Sequence, residues 1–326
     1  MNELRCHDDA DYSIYGNQLS SQEIEIPTFT KRRIQMSDFT NSGERVEGTD
    51  GLTIFFRSLR PKEKPRAVVI VVPGFNAHSG YYEWVAEQFV AKGLAVYAVD
   101  LRGRGNSDGE RFYVENFEDY ASDVEAVIKV ARSRESSVPF FLLGHSAGGV
   151  VSCLYTLDHQ PELTGLISES FAHELPAPDF ALAVFKGLGH LAPHAHILHL
   201  PNERFSRDPK VVEAMNEDPL IAHETQPTRT MAALVRADER LKKEFPLITL
   251  PVLILHGTVD QNTKPSGSQH FYDMVGSVDK TLKLYEGGFH DLLNDLDKRV
   301  VMRDIQDWIG ARLPATLETP AQVHAA

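Results

Sequence analysis

The residue with the clearest chemical context is Ser146, at the centre of the stretch 144–148 (GHSAG). An apolar run, Phe140–Leu143, comes before this stretch and a helical pattern follows it. A serine between two such glycines, at the junction of a strand and a helix, is typical of a nucleophile held on a sharp turn. The glycines keep the turn free of colliding side chains, and the start of the helix directs its dipole toward a developing oxyanion. Ser146 is therefore the predicted nucleophile.

The same G-x-S-x-G pattern occurs a second time, at 105–109 (GNSDG). There the serine, Ser107, follows a polar loop and comes before Glu110 and Arg111. No apolar strand leads into it, so the strand–turn–helix context that the chemistry requires is missing. Ser107 is predicted to be a turn residue, and the context rather than the pattern decides between the two serines.

A nucleophilic serine needs a base to take its proton, and that base needs a carboxylate to fix its tautomer. His290 lies in the loop after a predicted strand, Thr281–Tyr285, and is the predicted base. Asp260 lies just beyond the predicted strand Val252–Leu255, where a carboxylate can reach across the carboxyl edge of the sheet. The order serine, acid, histidine along the chain is the one expected for a nucleophile on this kind of turn.

Other residues compete for these two roles. Asp291 and Asp295 lie close to His290 in the sequence, but immediate neighbours seldom point at one another. His256 ends a buried strand and is predicted to be a core histidine whose hydrogen bonds are satisfied, rather than a base. For Asp260 the alternative is a turn or helix-cap residue without a catalytic role.

An acyl-transfer site also needs two N–H groups that face the developing oxyanion. One is predicted to be the backbone N–H of Ala147, the residue after the nucleophile. The other is predicted in the loop 73–76 (PGFN), directly after the apolar run Ala67–Val72. Gly74 permits the turn and Phe75 supplies the N–H. The alternative is a plain strand-to-helix turn.

The elements around these residues must bring them together. Short apolar runs, expected to be strands, alternate with amphipathic helical patterns. The predicted strands are Leu52–Phe56, Ala67–Val72, Ala95–Val99, Phe140–Leu143, Leu166–Ser168, Val252–Leu255 and Thr281–Tyr285. The predicted helices are Tyr82–Ala91, Phe117–Ser133, Gly148–Leu157, Thr230–Lys243 and Val300–Arg312. Strand alternating with helix predicts an α/β fold with a mostly parallel central sheet flanked by helices.

One interval breaks this alternation. Residues 171–246 contain helical patterns, prolines and histidines but no convincing strand, and they are predicted to form a helical cap over the carboxyl ends of the strands. The core then consists of residues 31–170 and 247–313. Residues 1–30 are predicted to be a loose leader and residues 314–326 a tail, because neither shows apolar periodicity.

The composition argues against several classes of protein. The formal net charge is −13 and the basic run Lys31–Arg33 is isolated, so no nucleic-acid partner is expected. No stretch approaches the roughly 20 apolar residues that span a bilayer, and the N-terminus lacks the apolar segment of a signal peptide. The two cysteines, Cys6 and Cys153, are not expected to pair. The predicted location is the cytoplasm.

Four histidines within residues 190–199 raise the question of zinc: His190, His194, His196 and His199. Their spacing fits none of the standard helical motifs, and Pro193 interrupts any helix there. No acidic or cysteine residue lies within the cluster. We predict a cap segment with titratable surface histidines rather than a metal site.

With these residues placed, the chain from about residue 40 to 312 resembles the monoacylglycerol lipase family of α/β-hydrolases. The resemblance rests on the stretches 74–82, 100–107, 144–148, 218–220, 256–260 and 283–290. It implies the α/β-hydrolase fold with a helical cap, an apolar tunnel for an acyl chain, and hydrolysis of monoglycerides or similar esters. It also implies a catalytic triad and two oxyanion donors at the residues already singled out: Ser146, Asp260, His290, Phe75 and Ala147.

The departures from the family concern the alcohol side of the site. This chain has Pro73 where the family usually has histidine, and Ala77 and Tyr81 where members that cleave monoglycerides often carry Glu and Arg. Without those polar groups the alcohol pocket is less polar, which weakens selection for glycerol. The residues predicted to contact substrate are Asn76, Ala77, Tyr81 and His145.

The predicted function is hydrolysis of small-molecule carboxylic esters with apolar acyl or alkyl groups, through an acyl-enzyme and without a metal or organic cofactor. Monoglycerides are the leading substrates. An apolar stretch of the cap, Phe180–Phe185, would line the tunnel, touch a lipid surface transiently, or simply pack on the core. Thioester, lactone or carbon–carbon bond hydrolysis is the alternative activity, and a ligand-binding receptor that reuses the fold is a second alternative.

Overall fold

The computed structural model describes residues 39–173 and 187–314 of the chain. The predicted leader (1–30), the tail after residue 314 and the stretch Phe180–Phe185 lie outside the described residues. The strands are β1 (Phe39–Glu47), β2 (Thr53–Pro61), β3 (Ala67–Val72), β4 (Leu94–Val99), β5 (Phe140–His145), β6 (Gly165–Glu169), β7 (His196–His199), β8 (Thr225–Pro227), β9 (Val252–Gly257) and β10 (Lys280–Tyr285).

The α-helices whose two ends both lie within the described ranges are α1 (Glu83–Val90), α2 (Phe117–Arg134), α3 (Ala147–His159), α4 (Pro209–Glu217), α5 (Thr228–Glu244), α6 (Pro265–Met274) and α7 (Lys298–Gly310). Most of them connect successive strands of one sheet, as expected for parallel pairing. None of the helices in the described ranges is both long and apolar enough to span a bilayer.

Eight strands form one sheet in the order β1-β2-β4-β3-β5-β6-β9-β10. β2 is antiparallel to both of its neighbours, β1 and β4, whereas every pair from β4 to β10 is parallel. The sheet is therefore mostly parallel, as predicted. The carboxyl ends of its parallel strands meet at one edge, so loops that are distant in sequence come together there.

Helices cover both faces of the sheet, and β3 shows why its sequence is a continuous apolar run. Val68, Ile70 and Val72 pack into the core on one face, together with residues of α2 and α3. Val69 and Val71 pack into the core on the other face, together with residues of α1 and α7. Strands that are buried on both faces lack the polar alternation of half-exposed strands.

Every predicted strand and every predicted helix overlaps an element of the structure. β1 was not predicted; it is an edge strand whose side chains from 40 to 47 are exposed or half-buried and mostly polar. α6 was not predicted either, and it begins with Pro265, Ser266 and Gly267. Serine and glycine are weak helix formers, so the start of this helix gives little local signal.

The predicted cap, residues 171–246, is called the insertion below. It contains α4, α5 and, contrary to the prediction that it has no strand, the antiparallel pair of β7 and β8. β7 has four residues, three of them exposed, and β8 has three residues. Elements this short give no readable alternation of apolar and polar residues, which is why the sequence did not reveal them.

Arg104, in a core loop, joins the insertion to the core. Its side chain is 2% exposed and forms an ion pair with Glu224, whose side chain is 1% exposed. It also donates a hydrogen bond from Nη2 to Oε1 of Gln226, at 2.9 Å. Its guanidinium lies over the ring of Phe75, 4.3 Å from the centroid. One buried cation therefore contacts both the insertion and the loop 73–76.

We expect Arg104→Met to lower the free energy of unfolding by about 3–5 kcal/mol, because it leaves the buried Glu224 carboxylate without its cation. Urea unfolding followed by circular dichroism measures this change. The control is Glu125→Gln, which removes a solvent-accessible helix pair between half-buried Glu125 and exposed Lys129 and should change the free energy by less than about 0.5 kcal/mol. Equal free energies of unfolding for Arg104→Met and wild type would contradict the expectation.

Candidate active site

Ser146 lies on a strained turn between β5 and α3. Its φ is 55° and its ψ is −120°, a region that residues other than glycine rarely occupy. A Cβ atom at Gly148 would lie 2.1 Å from the carbonyl oxygen of Val72, and one at Gly144 would lie 2.4 Å from the carbonyl oxygen of Gly148. Both positions therefore require glycine, and the turn packs tightly against the end of β3.

The three residues predicted for acyl transfer come together at the carboxyl edge of the sheet. His290 Nε2 lies 2.9 Å from Ser146 Oγ, and His290 Nδ1 lies 2.7 Å from Asp260 Oδ2. Ser146 is 6% exposed and His290 is 1% exposed. A carboxylate that accepts the Nδ1 proton leaves Nε2 as the acceptor that faces the serine hydroxyl. This tautomer is the one that general-base chemistry needs.

Asp260 is held as an anion by its neighbours. Its Oδ1 accepts the backbone N–H groups of Asn262 and Thr263, at 2.8 and 3.0 Å. Its Oδ2 accepts the Thr263 hydroxyl at 2.8 Å and lies 3.1 Å from His256 Nε2. Burial alone would raise the pKa of Asp260, but His290 and the hydrogen bonds from His256 and His290 hold it well below its ordinary value of 3.8.

His256 is a buried core histidine, as predicted. It is fully buried, and its Nδ1 lies 2.7 Å from the hydroxyl of Ser268. The contact between His256 Nε2 and Asp260 was not predicted. The alternative acids lie elsewhere: Asp291 accepts a hydrogen bond from Asn294, and Asp295 pairs with Arg207.

The loop 73–76 passes directly over the turn of Ser146. A Cβ atom at Gly74 would lie 2.8 Å from Ser146 Cβ and 2.8 Å from the carbonyl oxygen of His145, so this approach also requires glycine. Within the described ranges, the N–H of Phe75 has no hydrogen-bond acceptor. Ala147 is the first residue of α3, so its N–H has no acceptor within that helix. Both N–H groups are thus available at the turn of Ser146.

Ser146 and His290 open into a cavity of about 210 Å³. Phe75 and Ala147 also line this cavity. The wall is mostly apolar, and a large part of it comes from the insertion. The remaining lining residues are Ala172, Leu198, His199, Leu200, Arg204, Met231, Leu234, Gln261, Asn262 and Thr263.

None of the four residues predicted to contact substrate lines this cavity. Asn76 donates its Nδ2 hydrogens to the Leu200 carbonyl and to Asn202, and Ala77 is 4% exposed. The other two are Tyr81 and His145. Ala77 and Tyr81 were predicted because they stand where related enzymes that cleave monoglycerides often carry Glu and Arg. The structure places all four residues outside the lining of this cavity.

Tyr81 and His145 each have a hydrogen-bond partner within the protein. The Tyr81 hydroxyl donates to Asp218 Oδ2 at 2.8 Å, and that carboxylate also contacts His78 Nε2 at 2.8 Å. His145 is fully buried, with its Nε2 3.3 Å from the carbonyl oxygen of His290. Burial lowers the pKa of His145 to about 4, so its imidazole is neutral near pH 7.

The remaining candidates are also accounted for. Three histidines of the 190–199 cluster have separate partners: His194 contacts Glu110, His196 contacts Thr225, and His199 contacts the carbonyl of Glu224. His190 contacts Arg229. Ser107 is a turn residue, as predicted, and its hydroxyl accepts the N–H of Phe55 and donates to the carbonyl of Asp100.

A buried cluster beside His290 was missed by the sequence analysis. A ring nitrogen of His145 and one carboxylate oxygen each of Glu169 and Asp291 lie within 4.8 Å of one another. Burial and the nearby Asp291 carboxylate raise the pKa of Glu169 well above its ordinary value of 4.5, which favours its neutral form. Glu169 Oε1 accepts the N–H of Leu293 at 3.1 Å. Glu169 therefore anchors the loop that carries His290.

We expect Glu169→Gln to make the free energy of unfolding less dependent on pH, because glutamine keeps an acceptor oxygen and cannot ionise. The native pKa is raised, so wild type loses stability as pH rises from about 4.5 toward that pKa, by up to about 1.4 kcal/mol per pH unit. Urea unfolding between pH 5 and pH 8 measures both proteins. The stability of the variant relative to wild type should increase across this range.

The control for this measurement is Glu169→Leu, which also cannot ionise but leaves the N–H of Leu293 without its acceptor. This variant should lose stability at every pH, by about 1–3 kcal/mol. Parallel pH curves for wild type and Glu169→Gln would contradict the assignment of a raised pKa.

Comparison with known proteins places the chain in a family. Residues 63–297 match the family model Hydrolase_4, described as serine aminopeptidase, S33. The monoacylglycerol lipase of Mycolicibacterium smegmatis is 32% identical, over 85% of this chain and 100% of that protein. The monoglyceride lipase of Homo sapiens is 31% identical, over 89% of this chain and 96% of that protein.

A solved structure agrees with these relatives. The crystal structure of Paleococcus ferrophilus monoacylglycerol lipase has a TM-score of 0.71 and 29% identity to this chain, and the match covers 79% of this chain and 99% of the other. Together with the mostly parallel sheet and the turn at Ser146, these matches show that the chain is a monoacylglycerol lipase-like member of the Hydrolase_4 family, with the α/β-hydrolase fold.

Proposed function

We propose that this chain is a carboxylic ester hydrolase in which Ser146, His290 and Asp260 form the catalytic triad. The observation that carries the proposal is the continuous series of contacts from Ser146 Oγ through the His290 ring to Asp260, beside a largely apolar cavity. The relatives named as monoacylglycerol and monoglyceride lipases support an ester as the bond that is cleaved.

In the first half of the proposed reaction, His290 Nε2 takes the proton of Ser146 as Oγ attacks the carbonyl carbon of the ester. The carbonyl oxygen becomes an oxyanion, which the N–H groups of Phe75 and Ala147 bind. The Asp260 anion stabilises the imidazolium. The bond to the alcohol oxygen then breaks, His290 returns the proton to that oxygen, and an acyl ester of Ser146 remains.

In the second half, His290 Nε2 takes a proton from water as the water oxygen attacks the acyl carbon. The same two N–H groups bind the second oxyanion. When the bond to Ser146 Oγ breaks, His290 returns the proton to that oxygen. The carboxylic acid leaves, and the serine and the neutral histidine are restored.

The cavity wall supports the proposed substrate class. Its leucines and methionine suit an apolar acyl or alkyl group, because burying such a group releases about 25 cal/mol per Å². Monoglycerides are the leading candidates. Selection for glycerol is expected to be weak, because Ala77 offers no polar group and the Tyr81 hydroxyl is engaged with Asp218.

We expect Ser146→Ala to lower kcat for ester hydrolysis by about 10⁶-fold, because the variant lacks the attacking oxygen. Hydrolysis of p-nitrophenyl esters of increasing chain length measures this. The matched control is Ser107→Ala, the other serine in a G-x-S-x-G pattern, whose hydroxyl lies in a structural turn. It should keep kcat near that of wild type. Equal kcat for Ser146→Ala and wild type would contradict the assignment of Ser146 as the nucleophile.

The same wild-type protein, tested on a 1-monoacylglycerol, an alkyl ester of an aromatic acid, a thioester and a lactone, identifies the bond and the alcohol group. Preference for the monoacylglycerol would support the leading substrate. Hydrolysis of the thioester or lactone alone would replace the ester proposal. Binding of one equivalent without turnover of any compound would favour a receptor.

A further inference from the structure

The cavity beside Ser146 contains a polar group that no residue of the described ranges satisfies. Asn262 lines the cavity and is 5% exposed. Neither its Oδ1 nor its Nδ2 has a hydrogen-bond partner among the residues that the structure describes. The surrounding wall is apolar, and much of it comes from four residues of the insertion: Leu198, Leu200, Met231 and Leu234.

The backbone of Asn262 is fixed without any help from its side chain. The Asn262 N–H and the Thr263 N–H both donate to Asp260 Oδ1, at 2.8 and 3.0 Å. The turn after Asp260 is thus held by two main-chain N–H groups that donate to the Asp260 carboxylate. The carboxamide is left on the cavity wall, two residues from the proposed catalytic acid.

A buried carboxamide in this state has an energetic consequence for substrate binding. An unsatisfied buried polar group costs about 1–3 kcal/mol, and native proteins satisfy nearly all such groups. A cavity of about 210 Å³ has room for water that satisfies the amide in the free protein. An alkyl group that displaces this water leaves the amide unpaired, whereas a hydroxyl restores both its hydrogen bonds.

We propose that Asn262 is a specificity-determining residue that recognises a hydroxyl on the group of the ester that fills this cavity. That group is otherwise an apolar chain or ring. The hydroxyl donates to Oδ1 and accepts from Nδ2. This inference rests on the proposed ester hydrolysis and names the class of ester, a hydroxylated one, that the site prefers.

An anionic group is the competing ligand, because the exposed guanidinium of Arg204 also lines the cavity. A carboxylate only accepts hydrogen bonds, so it leaves Oδ1 of Asn262 unpaired. It would also bring a second negative charge toward the Asp260 anion. The uncharged hydroxyl therefore suits Asn262 better than the carboxylate does.

Two series of esters test the proposal and identify the part of the substrate that carries the hydroxyl. In the first series, methyl esters of a straight-chain acid carry one hydroxyl at successive positions, and the parent ester carries none. Methanol is too small to fill the cavity, so the acyl chain fills it. In the second series, acetate esters of long alcohols and of the matching diols place the variation in the alcohol.

In one of the two series, the best hydroxylated ester should exceed its parent in kcat/KM by about 10–100-fold in wild type, the range expected for a pair of buried hydrogen bonds. Asn262→Leu, of similar size, should abolish this preference and raise kcat/KM for the parent ester. The control is Gln269→Leu, an apolar substitution at an exposed position of α6 that does not line the cavity, which should retain the preference ratio. The wild-type preference needs no variant, so it tests the proposal even if Asn262→Leu folds poorly.

Equal kcat/KM for parent and hydroxylated esters in wild type would overturn the inference and leave the proposed hydrolysis intact. Preference for an ω-carboxylate over the hydroxyl would also overturn it. If no ester is hydrolysed, the proposed function fails, and binding decides the inference separately. Calorimetry of a long alcohol and its matching diol should then show tighter binding of the diol to Ser146→Ala. That preference should be absent from Ser146→Ala/Asn262→Leu, and equal affinities throughout would overturn the inference.

Discussion

The site depends on one constraint, the close packing of the turn at 144–148 against the end of β3. A Cβ atom at Gly148 would lie 2.1 Å from the carbonyl oxygen of Val72 and 2.5 Å from that of Pro73. The same approach brings Gly74 against Ser146, and Phe75, Ser146 and Ala147 line one cavity. Ser146 takes a positive φ at this crowded point.

Two buried carboxyl groups at this edge of the sheet have opposite protonation preferences. Burial raises the pKa of Asp260, but the neighbouring His290 and the hydrogen bonds from His256 and His290 lower it by more, so the anion is favoured. Burial and the Asp291 carboxylate raise the pKa of Glu169, so its neutral acid is favoured. The neighbours of each carboxyl group, imidazoles for Asp260 and a carboxylate for Glu169, therefore separate the two. An anion stands beside His290 Nδ1, and a neutral acid anchors its loop.

The parts of the site that were predictable from sequence are those with a local physical cause. Ser146 was identified because a strand, a strained turn and a helix leave their pattern within about a dozen residues. Glu169 left no such pattern, because its contact with Leu293 joins residues 124 positions apart. Tyr81 was predicted to contact substrate because it stands where related enzymes that cleave monoglycerides often carry arginine, but its hydroxyl reaches Asp218, 137 positions away. A position in the sequence does not determine where a side chain points when a distant partner is available.

The position of Arg104 has a consequence for the exchange of parts between related proteins. Its guanidinium lies on the ring of Phe75 and pairs with Glu224 of the insertion. The insertion is therefore not an interchangeable module. A chimaera that receives a foreign segment without an acid in the place of Glu224 would leave the buried Arg104 cation unpaired beside the loop 73–76. A designer who transplants this segment must carry its acceptor and the residue at position 104 together.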